Sequence, residues 1–277
     1  LLPALRANMK ALQNELGPLS PRLVGVGVAA PFQLGGWHKL LGLSSAQSSR
    51  WNELDLSAEV QAMTDLPVSF AKDASAACVA ELVAGRGRDL KSFLYLFVDT
   101  FVGGGLVIHS HLHSGIHGNA GAVASLPLHI AGLKSTAMPP PQMIDQASLW
   151  ELEQRFKTLG LDPMAAYDDR ALLKPFASET NAWVASAANA LAHCVVSGTA
   201  FLDLDAVVID GSLCRPLLQR LIERTTADLA RYNPEGLWPA TVIAGSIGSD
   251  ARALGGALLP LHANFAPDRD LFLKAGT

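Results

Sequence analysis

The chain has 277 residues and a mass of 29.2 kDa, enough for two domains or one two-lobed unit with a sizeable core. With 49% hydrophobic residues, 17% charged residues and a mean hydropathy of +0.25, its composition excludes disordered, collagen-like and acidic-tail classes. A formal charge of −4, from 21 basic and 25 acidic residues, with a pI near 6.1, argues against a general nucleic-acid surface, which would need net positive charge.

Residues 4–15 carry apolar positions at helical spacing, closed off by Gly17-Pro18. The opening Leu-Leu-Pro-Ala-Leu-Arg has no basic stretch before an apolar run and no small-residue cleavage site, so no export signal is expected. Residues 23–30 read as a β-branched strand halted by Pro31, residues 55–64 as an amphipathic helix, 68–71 as a short strand and 74–84 as a second helix. Residues 93–99 and 105–111 are apolar strands flanking Gly103-Gly104-Gly105, which predicts a hairpin at the glycines. His109, His111 and His113 then alternate along the second strand with His117 beyond, either as three imidazoles on one metal-binding face or as exposed histidines at a hairpin tip.

Residues 131–142, which include Pro139-Pro140-Pro141, read as loop. Helices are predicted from Ser148 and from Ala182. The apolar run 182–202 is mostly Ala, Ser and Gly and carries Asn189 and His193, which fits a buried core helix better than a bilayer span. A strand at 204–209 ends in Asp210-Gly211-Ser212, a helix spans 216–232, a strand 240–244, and Gly245-Ser246-Ile247-Gly248 leads into a helix over 250–262. This order is a mixed α/β protein with two lobes. Cys78, Cys194 and Cys214 are odd in number and far apart, supplying neither a disulfide framework nor a paired zinc motif and suiting a reducing cytoplasmic setting.

Three turns put glycine or a small polar residue at a strand end, where backbone N–H groups can face an anion: residues 99–105, 210–212 and 244–248. Each alone also fits a glycine kept for a tight turn. Asp73 sits between a strand and a helix, as a helix N-cap or as a general base taking a proton from a substrate hydroxyl. Phe32, Trp37, Trp51 and Trp150 read as core or lobe-interface residues, and Arg86 and Arg88 as a solvated basic turn.

The run Phe70-Ala71-Lys72-Asp73-Ala74-Ser75-Ala76-Ala77, then Val102-Gly103-Gly104-Gly105-Leu106-Val107, then Gly115-Ile116-His117-Gly118-Asn119-Ala120-Gly121 resembles the ROK family of sugar kinases and sugar-responsive repressors, whose pattern is E-N-D-A-N-A-A, G-T-G-I-G-G-G and G-x-x-G-x-A-G-E-x-G-H. Residues 26–31 resemble the strand before that family's Pro-Gly turn, and the Asp210-Gly211 and Gly245 turns its nucleotide-side loops. The resemblance covers about residues 23 to 262. It implies a two-lobed, actin-like (ribonuclease H-like) ATPase fold with mixed central sheets, usually dimeric. Residues 1–96 would be the remainder of the first lobe, completed by the helix from 250 to 277, and 97–249 the second lobe with dimerisation helices. A ligand site would include Phe32, Lys72, Asp73, Asn119 and Gly121, and a nucleotide side Thr100, Gly103, Gly104, Gly211 and Gly245.

The departures from the family pattern are specific. The D-x-G-G-T hairpin that opens such chains has no counterpart after residue 1, so it is expected upstream. Asp99 and Phe101 flank Thr100 where the pattern has glycine, and a carboxylate 4 Å from a phosphate charge costs about 4 kcal/mol at an effective dielectric near 20, unless magnesium bridges the two. Lys72 replaces an asparagine, Phe32 a glycine, Ala122 a glutamate and Ser125 a histidine. Losing that glutamate removes charged hydrogen bonds of about 1.5–3 kcal/mol each, so a standard hexose would be held poorly. Residues 126–150 contain no cysteine, so no structural zinc is expected. The reading is a ligand-sensing, dimerising effector module of a ROK-type transcriptional regulator of carbohydrate metabolism, without catalysis. Its ligand would be a sugar or sugar derivative, with DNA contacted only through an N-terminal domain outside this chain, and no cofactor is expected. The alternatives are an active sugar kinase using ATP and magnesium with Asp73 as base, and a scaffold that binds no ligand.

Overall fold

The computed structural model describes residues 1–31, 40–128 and 140–265, the last four of these by backbone alone. Phe32, Trp37 and most of the 131–142 loop, Pro139 included, lie outside the described residues. Two compact units divide the chain: Leu1–Asp73 together with the segment from Ala253 onward, and Ala74–Arg252. The division falls ahead of the expected 96/97 because the helix opened by Asp73 packs under the sheet of the second unit: its Ala74 and Cys78 face the glycines of one strand of that sheet.

The first unit holds α1 (Leu2–Leu16), β1 (Val26–Ala30), α2 (Ser45–Asn52), α3 (Leu56–Gln61) and β2 (Val68–Lys72). β1 and β2 pair in parallel, Val26 opposite Val68 through Ala30 opposite Lys72. Gly27 allows the C-terminal helix to cross β1 closely: a Cβ there would lie 1.6 Å from the Gly256 carbonyl oxygen. α2 was not predicted, although Ser44 and Gln47 form a reciprocal capping box at its start. Trp51 on α2 is 40% exposed, which corrects the core alternative of its expected core or lobe-interface position; a lone tryptophan on a short polar helix is not enough to bury that face.

The second unit is built on five strands in the order β5-β4-β3-β6-β7: β3 (Phe93–Val98), β4 (Gly103–Ile108), β5 (His111–Leu112), β6 (Ala206–Gly211) and β7 (Thr241–Ala244). β3, β6 and β7 are parallel, whereas β4 pairs antiparallel with both β3 and β5. β3 and β6 are buried along their whole length, which is why both read as unbroken apolar runs. The helices are α4 (Asp73–Ala84), α5 (Ile144–Ala147), α6 (Leu149–Thr158), α7 (Ala177–Leu202), α8 (Arg215–Leu229) and α9 (Ala251–Phe265), the last running from the second unit into the first. Among the described residues α7 is the one helix long and apolar enough to cross a membrane, with half of that window buried. It packs against α5 and α8, as expected of a core helix.

One prediction fails here, and of the two readings open for the histidines the structure keeps the exposed one, with His109, His113 and His117 at the surface. Gly103-Gly104-Gly105 do not form the hairpin turn but open β4, and the turn is residues 99–102. The glycines are needed in the strand because other parts of the chain pass close on both sides: a Cβ on Gly105 would lie 2.5 Å from the Cys78 Cβ of α4, and one on Gly104 3.0 Å from the Gly121 carbonyl. The histidines do not share a strand face. His109 and Ser110 have φ of 51° and 66°, and this left-handed pair ends β4 and breaks the period of two. His111 starts β5, its Nδ1 2.8 Å from the His109 carbonyl. Among the described residues no group of three His, Cys, Asp or Glu side chains could hold a metal ion.

Candidate functional site

Because β3, β6 and β7 are parallel and neighbours, their C-terminal ends share one edge of the sheet. Thr100, Gly211 and Gly245 are therefore brought together there, with Gly103 opposite Phe97 at the start of β4. Gly211 is forced by packing: its Cβ would lie 1.9 Å from the Val98 carbonyl. The 210–212 and 245–248 turns are knit together by Asp210, which is fully buried. Its Oδ1 accepts from Arg215 Nη1 at 2.9 Å and its Oδ2 from the Gly248 N–H at 2.7 Å, while the same Arg215 nitrogen donates to the Gly245 carbonyl at 2.9 Å.

A second buried carboxylate, Glu81 on α4, holds the 245–248 turn from another side. It accepts from the Ser246 N–H at 3.1 Å, the Ser246 hydroxyl at 3.1 Å and the Arg86 N–H at 2.7 Å. Arg86 and Arg88 are themselves exposed, as expected of a basic turn. Among the described residues the buried Tyr95 hydroxyl has no hydrogen-bond partner, and burial, followed by the Asp210 charge, pushes its pKa well up.

The 99–102 turn is fastened to the start of α6. The Leu149 and Trp150 N–H groups donate to the Asp99 and Thr100 carbonyls at 2.9 and 3.0 Å, and the Val102 N–H donates to the buried Ser148 hydroxyl at 3.0 Å. Trp183 Nε1 on α7 fixes the Ser148 carbonyl at 3.0 Å. Phe101 packs toward Trp150, ring centroids 6.0 Å apart, and Lys157 caps that indole at 4.8 Å. Thr100 Oγ1 lies 2.7 Å from the Tyr167 hydroxyl, which donates to Glu153 Oε1 at 2.7 Å. A hydroxyl has one proton to give; Tyr167 spends its own on Glu153, so Thr100 donates inward to Tyr167. Burial, reinforced by the Glu153 carboxylate, holds the Tyr167 phenol protonated far above its ordinary range.

Asp99, 4% exposed, is in direct ion contact with Arg252 in the first turn of α9. This corrects the expectation that Asp99 is an uncompensated like charge: its charge is matched from within the same unit. Lys72 and Asp73 lie half-buried where β2 ends and α4 begins. Asp73 is the first helical residue, where a carboxylate complements the helix dipole whether or not it meets a ligand. Asn119 is exposed, and Gly121, with φ of 69°, packs on Gly104 and Gly105. Gly121 thus lies against β4, and the expected ligand residue Phe32 is outside the described residues. Glu81, Tyr167, Arg215 and Arg252 were not foreseen.

The chain is 26% identical to the xylose repressor of Bacillus subtilis over 143 residues, covering 51% of this chain and 35% of the repressor. It is 33% identical to the beta-glucoside kinase of Listeria monocytogenes over 99 residues, covering 36% and 33%. It thus spans about a third of the length of these relatives. Among solved structures, a ROK family glucokinase from Streptomyces griseus in complex with glucose and AMPPNP superposes with a TM-score of 0.63 at 19% identity, covering 85% of this chain and 80% of that one. A ROK family transcriptional regulator homologous to Escherichia coli MLC gives 0.63 at 15%, covering 94% and 68%. The folds agree, and the mixed α/β architecture is the actin-like ATPase fold. The family model described as "ROK family" matches residues 3–263, so the chain, with its glycine turns in the family's order, belongs to the ROK family.

Proposed function

We propose that this chain is the ligand-sensing, dimerising effector module of a cytoplasmic ROK-type transcriptional regulator of carbohydrate metabolism and that it does not transfer phosphate. The observation that carries this reading is the state of Thr100: because Tyr167 donates its own proton to Glu153, the Thr100 proton is committed to Tyr167, so it has none to give a phosphate oxygen. The charges at the same edge point the same way. Asp99 is matched by Arg252 and Asp210 by Arg215, and Glu81 adds a further carboxylate satisfied by neutral donors. No surplus positive charge is left among these groups to attract a triphosphate, and the residues present do not fit ATP.

The ligand in this reading is a sugar or sugar derivative taken up near Lys72 and Asp73, and relatives named for xylose, beta-glucosides and glucose support that class. Altered ligand residues make the free hexoses of the kinases poor candidates. The module would act as a homodimer, with DNA held by an N-terminal domain outside residues 1–277. Ligand binding would favour one arrangement of the two units and thereby the spacing of the DNA-binding heads. The rival kinase reading draws on Asp73, which stands at the opening of α4 as a general base would. A coupled ATP-consumption assay over a panel of sugars tests the two. The sensor reading expects no turnover, together with a thermal shift from at least one sugar. Turnover abolished by Asp73→Asn would overturn it, and a flat thermal profile with no turnover would leave the scaffold.

A further inference from the structure

Asp99 and Arg252 are an unusual pair for a strand-end turn. The Asp99 side chain is 5% exposed and that of Arg252 43%, so a nearly dry carboxylate is compensated by a guanidinium that still reaches solvent. Among the described residues the Asp99 Oδ2 oxygen has no hydrogen bond, and the ion contact with Arg252 is its compensation. Arg252 is held from a second side, its guanidinium carbon 5.5 Å from the Phe97 ring centroid, which fixes the planar group over the end of β3. A guanidinium offers five N–H donors in a fork that matches oxyanions in pairs, and here Arg252 turns its Nη2 to the Asp99 Oδ2 oxygen. The neighbouring arginine at this edge, Arg215, is already spent on Asp210 and the Gly245 carbonyl.

We propose that Asp99 and Arg252 form a self-filled oxyanion site: the Asp99 carboxylate is the resident anion on Arg252, and loss of its charge opens the site to an inorganic polyphosphate. The inference rests on the reading that the native turn takes no nucleotide and adds the reason: a built-in competitor rather than a missing cation. In the native protein an incoming phosphate must displace a tethered carboxylate and then lie beside it. When the carboxylate is replaced by a neutral group of the same shape, both penalties vanish and the Arg252 fork is free for phosphate oxygens.

The test is calorimetric titration of sodium tripolyphosphate at low salt, without magnesium, into the wild type, Asp99→Asn, Arg252→Gln and the double variant. Asp99→Ser serves as a second neutral variant if the first does not fold by circular dichroism. The expected result is no saturable heat in the wild type, one-to-one binding in Asp99→Asn at least about 30-fold tighter, corresponding to about 2 kcal/mol, and loss of that binding in the double variant. Silent wild type with no gain in either neutral variant, or a gain that survives Arg252→Gln, would overturn the self-filled site and leave the sensor reading intact. Tight binding by the wild type would instead overturn the sensor reading's account of this turn, and the present inference with it.

Discussion

Residues 99–101 and residues 103–105 are neighbours in the chain, yet they answer to different constraints. The second stretch keeps its three glycines, and close backbone packing explains them: α4 crosses on one side and the 121–123 segment on the other. The first has a carboxylate and a phenyl ring in place of glycine, and its side chains and carbonyls turn to partners inside the unit: Arg252, Tyr167, Leu149 and Trp150. The difference teaches that a glycine pattern shared with kinases can be maintained by the fold alone. A turn whose glycines served only a ligand is then free to change.

The contrast is sharpest for glycines at the sheet edge. Gly211→Ala places a Cβ 1.9 Å from the Val98 carbonyl and must push β6 off β3, so we expect a loss of about 3 kcal/mol or more in a urea melt. An unchanged midpoint would mean that this glycine is not held by packing. Next in size is Asp210→Asn, which leaves Arg215 and the Gly248 N–H poorly matched. Because Arg215 is half exposed, the cost should be about 2 kcal/mol, below the full value for breaking a buried pair.

Tyr167→Phe removes the link between Thr100 and Glu153. It should cost about 1 kcal/mol and also release the Thr100 proton. If the turn is closed by Asp99 as well, ATP hydrolysis stays absent in this variant; appearance of hydrolysis would mean that Thr100 alone keeps the turn silent. The smallest effect is at Cys194, where burial pushes the thiol up to about 12. A group with a raised pKa stays in its protonated form as pH rises toward that value, so at pH 8 only about one thiol in ten thousand is ionised. Ellman's reagent should leave Cys194 unmodified in the native protein and react after denaturation.

Much of the frame is legible in the sequence, because apolar runs and helical spacing are local signals. β3 and β6 stand out as unbroken apolar stretches, and α7 is visible in its Ala-rich run. The glycine turns mark the strand ends, although Gly103–Gly105 belong to the strand and not to the turn that the glycine pattern predicts. That error has a physical cause: glycine serves tight turns and close strand packing equally well, and only the position of Cys78 decides. The polar partners were not legible. Tyr167 lies 67 residues from Thr100, and Ser246 lies 165 from Glu81, and no local pattern announces which distant side chain will meet a given hydroxyl or carboxylate. α2 was legible in principle, through Ser44 and Gln47.

The central claim is that the sheet edge formed by Thr100, Gly211 and Gly245 no longer accepts a nucleotide. Calorimetric titration of the wild-type protein with AMPPNP and magnesium, with and without a sugar found to raise its melting temperature, tests this most directly. The account predicts no saturable heat at millimolar nucleotide in either case. A stoichiometric isotherm with a micromolar Kd, lost in Thr100→Val, would contradict it.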